Sequence, residues 1–147
     1  MTKPIVVAVS GGFDPLHIGH VRYFEDAKKL GDQLVVILNN DNWLRAKKGN
    51  EFMPQDERRE ILLALRCVDA VVLTKHPANP TDMSVCDALR ELRPDIFVKG
   101  GDRGIENTPE VLVCNEIGCK IAWNAGGGKV QSSSWLLKGF YTKAKGA

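Results

Sequence analysis

Apolar residues gather in five short runs along the chain: "PIVVAV" (4–9), "QLVVIL" (33–38), "DAVVLT" (69–74), "DIFVKG" (95–100) and "CKIAWN" (119–124). Each has strand length and is bounded by polar or turn-forming residues. Between them the apolar positions recur at helical spacing. "GHVRYFEDAKKLG" aligns Val21, Phe24, Ala27 and Leu30 on one face and stops at Gly31, where a left-handed C′ position suits glycine. "PQDERREILLALR" opens on Pro54, carries acids early and ends on Arg66, the polarity a helix dipole favours. "TDMSVCDALRELRP" predicts a helix capped by Thr81 and ended before Pro94. "TPEVLVCNEIG" predicts Thr108 as cap, Pro109 at N1 and Gly118 at C′, and a last helix is expected from Ser132 to Ser134 onward through Trp135, Leu136, Leu137 and Phe140.

The order is strand then helix, five times over. Nearly continuous apolar strands separated by helices predict an α/β fold: a doubly wound, parallel five-stranded sheet with helices on both faces, in a single domain over 1–147. Ligands of such sheets bind at the carboxyl ends of the strands, where strand order reverses. Four segments that follow strands are rich in Gly, Lys, His, Ser or Asn: "GGFDPLHIGH", "NNDNWLRAKKGN", "KGGDRGIEN" and "AGGGKVQSSS".

Composition narrows the function classes. A hydrophobic content of 44%, 26% charged residues and a net charge of +2 are those of an ordinary soluble domain, and that charge is too small to argue for nucleic acid. The apolar runs fall far short of the roughly 20 residues that cross a bilayer, and no signal-peptide pattern opens the chain, so a cytoplasmic protein without membrane partners is expected. Cys67, Cys86, Cys114 and Cys119 lack C-x-x-C spacing and are expected as reduced, structural thiols.

The chain has three histidines, and His17 and His20 both fall in "GGFDPLHIGH". Gly11 and Gly12 allow close backbone approach, Pro15 stiffens the turn, and a helix N-terminus follows beside both imidazoles. Such a site suits an anion, and phosphoryl or nucleotidyl transfer is the chemistry that needs one. The rival is a zinc pair, but His76 stands in a different loop and no nearby Cys or His completes four ligands.

"GGFDPLHIGH" resembles the G-x-F-D-x-x-H-x-G-H signature of the cytidylyltransferase-like nucleotidyltransferases. These include glycerol-3-phosphate cytidylyltransferase, the adenylyltransferase of ADP-heptose synthesis and archaeal FAD synthetase. A bare H-x-G-H is shared with class I aminoacyl-tRNA synthetases, but those are far longer and need a second lysine-rich loop that this chain lacks. "LNNDNW", "RAKKGN", "ERREILLALRCVDAV", "FVKGGD" and "VQSSSWLL" resemble further family motifs along nearly the whole chain.

The resemblance implies a Rossmann-like nucleotidyltransferase that takes an NTP with Mg²⁺. A phosphate oxygen of a small phosphorylated acceptor would attack the α-phosphorus and release pyrophosphate. His17 and His20 would stabilise the pentacovalent phosphate and its leaving group. Gly12 and Phe13 would give main-chain contacts to the triphosphate, and Lys47, with Lys48 beside it, would close onto phosphates from a mobile loop. Arg58 and Arg66 would brace phosphates, Asp69 would hold an arginine, Asp14 would orient His17 or face the acceptor, and Asp102 would lie near the nucleoside. Ser132, Ser133 and Ser134 would offer hydroxyls and helix amides to the β and γ phosphates. Read without the family, Lys47 and Lys48 are a solvated loop, Arg58 and Arg66 form surface salt bridges, and the serines cap a helix.

Two departures matter. Where glycerol-3-phosphate cytidylyltransferases carry R-T-E-G, this chain has "GGGKV", so Lys129 stands in for the arginine; and "RCVD" resembles the cytidylyltransferases while "VKGGD" resembles the heptose enzymes. The base is therefore left between cytosine and adenine, and the acceptor between a polyol or sugar phosphate and FMN. A nucleotide-binding sensor without chemistry is the reading from another class. Relatives commonly form homodimers, and one is expected here.

Overall fold

The computed structural model describes residues 3–100 and 109–125. Among them the elements run β1 (Val6–Gly11), α1 (Ile18–Lys28), β2 (Gln33–Leu38), α2 (Asp41–Lys48), α3 (Gln55–Leu63), β3 (Ala70–Leu73), α4 (Cys86–Leu92), β4 (Ile96–Gly100), α5 (Pro109–Ile117) and β5 (Lys120–Ala125). The strands form one five-stranded sheet in the order β3-β2-β1-β4-β5, and every pairing is parallel. The chain thus winds outward from β1 in both directions, and the order reverses between β1 and β4. This is the Rossmann-like architecture expected from the strand–helix alternation.

Alternation along the strands builds two cores. Val7, Val9, Val36 and Leu38 pack with Phe24 and Ala27 of α1 and Leu62 of α3, while Ala8, Ile37 and Phe97 pack with Cys86 and Leu89 of α4 and Val113 and Cys114 of α5. Each fully buried Leu, Val or Phe contributes about 1.5–3 kcal/mol. The four cysteines are free thiols, and burial pushes Cys119 up to about 12, so it is an inert core residue. No helix among the described residues is long and apolar enough to cross a membrane.

Local structure departs from the sequence pattern in three places. Gly31 does not serve as a left-handed cap: Lys29 closes α1 in right-handed geometry, and a Cβ at Gly31 would lie 2.6 Å from Cγ2 of Val7, so β1 needs the glycine for close approach. α4 starts at Cys86 rather than after Thr81, because Asp82 and Ser84 accept the amides of Ser84 and Cys86 in local turns that compete with a helix. α2 is a helix where the sequence reads as a loop. Pro109 opens α5 and Gly118, at φ 74, follows it, as expected. Thr108 and the helix expected after Ser132 lie outside the described residues.

The amino edge of the sheet is closed by aspartates. Oδ2 of Asp32 accepts the amide of Ile5 at 2.7 Å, Oδ2 of Asp95 that of Val6 at 2.8 Å, and Oδ2 of Asp69 that of Leu34 at 2.8 Å.

Candidate active site

At the opposite edge, the chain leaves β1 through Gly11 and Gly12 and turns into α1 at His17. Phe13 adopts φ 49, a conformation that costs a non-glycine residue about 1–3 kcal/mol, yet it is only 5% exposed. Packing holds it there. Its ring meets Phe24 edge-on at 4.9 Å and His20 edge-on at 4.8 Å, and a Cβ on Gly11 would lie 2.8 Å from it. Phe13 is therefore the wall against which His20 rests.

His17 is the N-cap of α1. Its Nδ1 accepts the amide of Gly19 at 3.1 Å, and Nδ1 of His20 reaches back to accept the amide of His17 at 3.2 Å. This is a capping box written in histidines. An accepting Nδ1 places the ring proton of each imidazole on Nε2, so each presents its donor end away from the backbone. The rings stack with centroids 3.7 Å apart. Burial first, then the neighbouring His17 and the Lys48 ammonium, push His20 down to about 3, so it is neutral at physiological pH.

Two buried charges frame the loop. Arg58, with a fully buried side chain, donates from Nε to the carbonyl of Met53 at 2.9 Å and from Nη1 to those of Gly12 at 2.8 Å and Asn39 at 2.7 Å. Its Nη2 pairs with Oδ1 of Asp41 at 2.7 Å. Asp14, 2% exposed, accepts the amides of Phe52 and Met53 at 2.6 and 2.7 Å. Together they fasten the ends of β1 and β2, the start of α2 and the approach to α3.

α2 completes the edge. Asn40 caps it by accepting the amide of Trp43 at 3.0 Å, Gly49 closes it at φ 91, and Arg45, Lys47 and Lys48 fill its last turn. A Cβ on Gly12 would lie 2.9 Å from Cδ2 of Leu44, so that glycine lets α2 pack onto the loop. Across the other side, Nδ2 of Asn40 and of Asn42 both donate to the carbonyl of His76 at 2.9 Å, and Nε1 of Trp43 donates to that of Met83 at 2.8 Å. His76 is itself held between Oγ1 of Thr74 and the carbonyl of Ser84, each at 2.9 Å.

Residues 8–120 match the model of a family described as cytidylyltransferase-like. The chain belongs to that family. It is 43% identical over 114 residues to a bifunctional protein HldE of Syntrophotalea carbinolica, which covers 76% of this chain and 21% of that one. It is 35% identical over 120 residues to an FAD synthase of Pyrococcus abyssi, covering 81% of this chain and 78% of that one. The crystal structure of the lipopolysaccharide core biosynthesis protein from Thermoplasma volcanium GSS1 superposes with a TM-score of 0.67 at 29% identity, over 83% of this chain and 95% of that one. The chain spans about a fifth of the bifunctional relatives, 21% of the first of them.

For this cytidylyltransferase-like chain the structure brings His17, His20, Gly12, Phe13, Lys47 and Lys48 to one edge and reassigns others. Arg58 does not face a phosphate: its donors are turned to protein oxygens, so it is the frame of the loop rather than part of its binding surface. Asp14 likewise holds the segment before α3 and does not face an acceptor. Asp69 lies at the amino edge and pairs with Lys28, not with an arginine, and exposed Arg66 lies in the same approach to β3. Both are thus removed from the carboxyl edge, where the histidines lie, by the length of a strand.

Lys47 and Lys48 sit on a helix instead of a mobile loop. Lys47 lies 5.5 Å over the ring of Trp43, whereas it is the charge of Lys48 that reaches His20. Asp102, Lys129, Ser132, Ser133 and Ser134 fall outside the described residues.

Sequence reasoning missed Asn39, Asn40, Trp43 and Thr74. The signal for α2 was present as Asn40 before, and Gly49 after, a basic-ended stretch. Asn39 is 4% exposed, and its Oδ1 has no hydrogen-bond partner among the described residues, an omission that costs about 1–3 kcal/mol.

Proposed function

We propose that the chain transfers the AMP group of ATP to a phosphorylated sugar or polyol and releases pyrophosphate. One observation carries the reading: the capping box that fixes two stacked imidazoles, each with its proton on Nε2, beside the N-terminus of α1. In this reading an oxygen of the acceptor's phosphate attacks the α-phosphorus and the bond to the β-phosphate oxygen breaks. The two Nε2–H groups and the α1 amides stabilise the charge that develops on the phosphate oxygens. A neutral His20 donates its proton in a hydrogen bond without needing to be charged. Lys48 and Lys47 add ammonium groups on flexible side chains from the end of α2.

ATP is favoured over CTP because the resemblance to the ADP-heptose enzymes and to FAD synthases points to adenylyl products. Mg²⁺ enters as part of the NTP substrate. Among the described residues no three His, Cys, Asp or Glu side chains are grouped to hold a metal, and both oxygens of Asp14 already accept amides. No step is therefore assigned to the ion. The proposed setting is cytoplasmic and the proposed assembly a homodimer, which light scattering would measure.

A second reading takes FMN as acceptor. It is favoured by coverage, since the chain spans 78% of the Pyrococcus abyssi FAD synthase. Mg²⁺-dependent pyrophosphate release, with ATP and CTP each tested against heptose 1-phosphate, hexose 1-phosphate, glycerol 3-phosphate and FMN, decides among them. Release with ATP and a sugar or polyol phosphate is the expected result; release with FMN alone selects the second reading. Silence across the grid with ATP still bound points to a nucleotide sensor.

A further inference from the structure

The unpartnered oxygen of Asn39 occupies a defined place. Leu34, Val36 and Leu38 of β2 belong to the core under α1 and α3, and Ile37 to the core under α4 and α5. The amide of Asn39 bonds the carbonyl of Gly11 at 2.9 Å, so the ladder continues and alternation sets Asn39 on the Ile37 face. Its carbonyl shares Nη1 of Arg58 with that of Gly12, one strand spacing, about 4.8 Å, from the histidine-bearing loop.

The neighbouring ladder extends the same way. The amide of Thr74 bonds the carbonyl of Leu38 at 2.9 Å, which sets Thr74 beside Asn39. Thr74 in turn lines a cavity of about 140 Å³ between β3 and α4, together with His76, Asp82, Ser84 and Ala88. A buried amide oxygen with no donor among the described residues, beside the histidine-bearing loop and one ladder step from a cavity whose polar groups come from Thr74, His76, Asp82 and Ser84, is the arrangement of a site that waits for a ligand's hydrogen.

We propose that Asn39 selects the acceptor: its Oδ1 takes a hydrogen bond from a hydroxyl of a polyhydroxylated phosphomonoester, whose body extends over the ends of β2 and β3 toward the cavity at Thr74. The inference rests on the nucleotidyl-transfer reading and names a specificity residue within it. Because the oxygen has no partner among the described residues, an apolar side chain of similar size should not harm the fold.

The test is calorimetric binding of heptose 1-phosphate and glycerol 3-phosphate, and of their monodeoxy analogues, to the protein saturated with a non-hydrolysable ATP analogue. Wild type, Asn39→Leu and Asn39→Ala are compared, with melting temperatures alongside. Either substitution, or loss of one particular hydroxyl, should weaken acceptor binding about tenfold, and the two losses should not add, the variants being indifferent to that hydroxyl. ATP-analogue affinity should hold, and the leucine variant should melt no lower than wild type.

Unchanged acceptor affinity in both variants would overturn the assignment and leave the oxygen to a buried water. So would a leucine variant that melts several degrees lower with acceptor binding intact, weakened ATP-analogue binding, or a wild type that binds neither phosphate. The deoxy analogues test the wild type without any substitution, so a variant that fails to fold does not protect the idea. Failure of the ATP analogue to bind wild type would instead overturn the nucleotidyl-transfer reading, and this inference with it.

Discussion

At the amino edge of the sheet Asp32, Asp69 and Asp95 each accept a strand amide; at the carboxyl edge Asp14 accepts two amides and Arg58 holds three carbonyls. The bonds are of the same kind, and their surroundings differ. The Asp69 side chain is 41% exposed, whereas Asp14 is 2% and Arg58 1% exposed. Water can replace the partners at the amino edge and cannot at the carboxyl edge. Charges at the amino edge therefore seal strand ends cheaply, while those at the carboxyl edge hold a strained loop, a pair of imidazoles and the start of α2 in one arrangement. Preorganisation is located where the solvent is excluded.

The contrast predicts its largest effect at Arg58. Arg58→Met removes a buried partner of Asp41 and strands the carbonyls of Gly12, Asn39 and Met53, and the expected loss is about 3–5 kcal/mol in urea unfolding. A loss under 1 kcal/mol would mean that this edge is as forgiving as the other. His17→Asn comes next. Asparagine caps helices well, so α1 should survive with a melting temperature close to wild type while turnover falls about 10²–10³-fold. A fall smaller than tenfold would remove His17 from the reaction.

His20 gives a smaller, pH-dependent effect. Its value in the folded protein is about 3, below the usual 6.5, because burial opposes the charged ring. Above pH 6.5 it is neutral in both states. As pH falls from 6.5 toward 3, the unfolded chain takes up a proton that the folded one refuses, so stability declines with a slope of up to about 1.4 kcal/mol per pH unit. Unfolding free energies from pH 7 to 4.5 should show this decline in wild type and a flatter line in His20→Gln. The turnover of wild type should show no titration of His20 between pH 5 and 8.

The sheet was legible because each strand is a local apolar run, and so was the histidine loop, whose residues are adjacent in sequence. Positions whose meaning depends on distant partners were not. Arg58 reads as a surface residue of an acidic helix until β1, β2 and α2 converge on it. Asp14 sits within a motif but acts on Phe52 and Met53. α2 escaped because Asp41–Lys48 is short and polar, with only Leu44 buried, so its caps and not its periodicity mark it. Asn39 lies in "LNNDNW", a stretch that resembles the family, but nothing in the sequence sets it apart from Asn40; that its oxygen lacks a partner among the described residues is a property of the packed edge alone.

The smallest expected effect is at Asp69, and it tests the comparison from its weaker side. Burial works against this carboxylate, but the Lys28 ammonium and the Leu34 amide outweigh it and hold the group below its usual value. Its contribution is thus present above the ordinary carboxylate range and is lost as pH falls through and below it. Asp69→Asn keeps an oxygen for the Leu34 amide and removes only the charge. Since both side chains of the pair are partly in water, screening limits the loss to at most about 1 kcal/mol, and high salt should erase it. Turnover, read by pyrophosphate release, should remain within twofold of wild type. If it fell tenfold instead, the amino edge would be coupled to the reaction, and the arginine-holding role that the family resemblance implies for Asp69 would have to be restored.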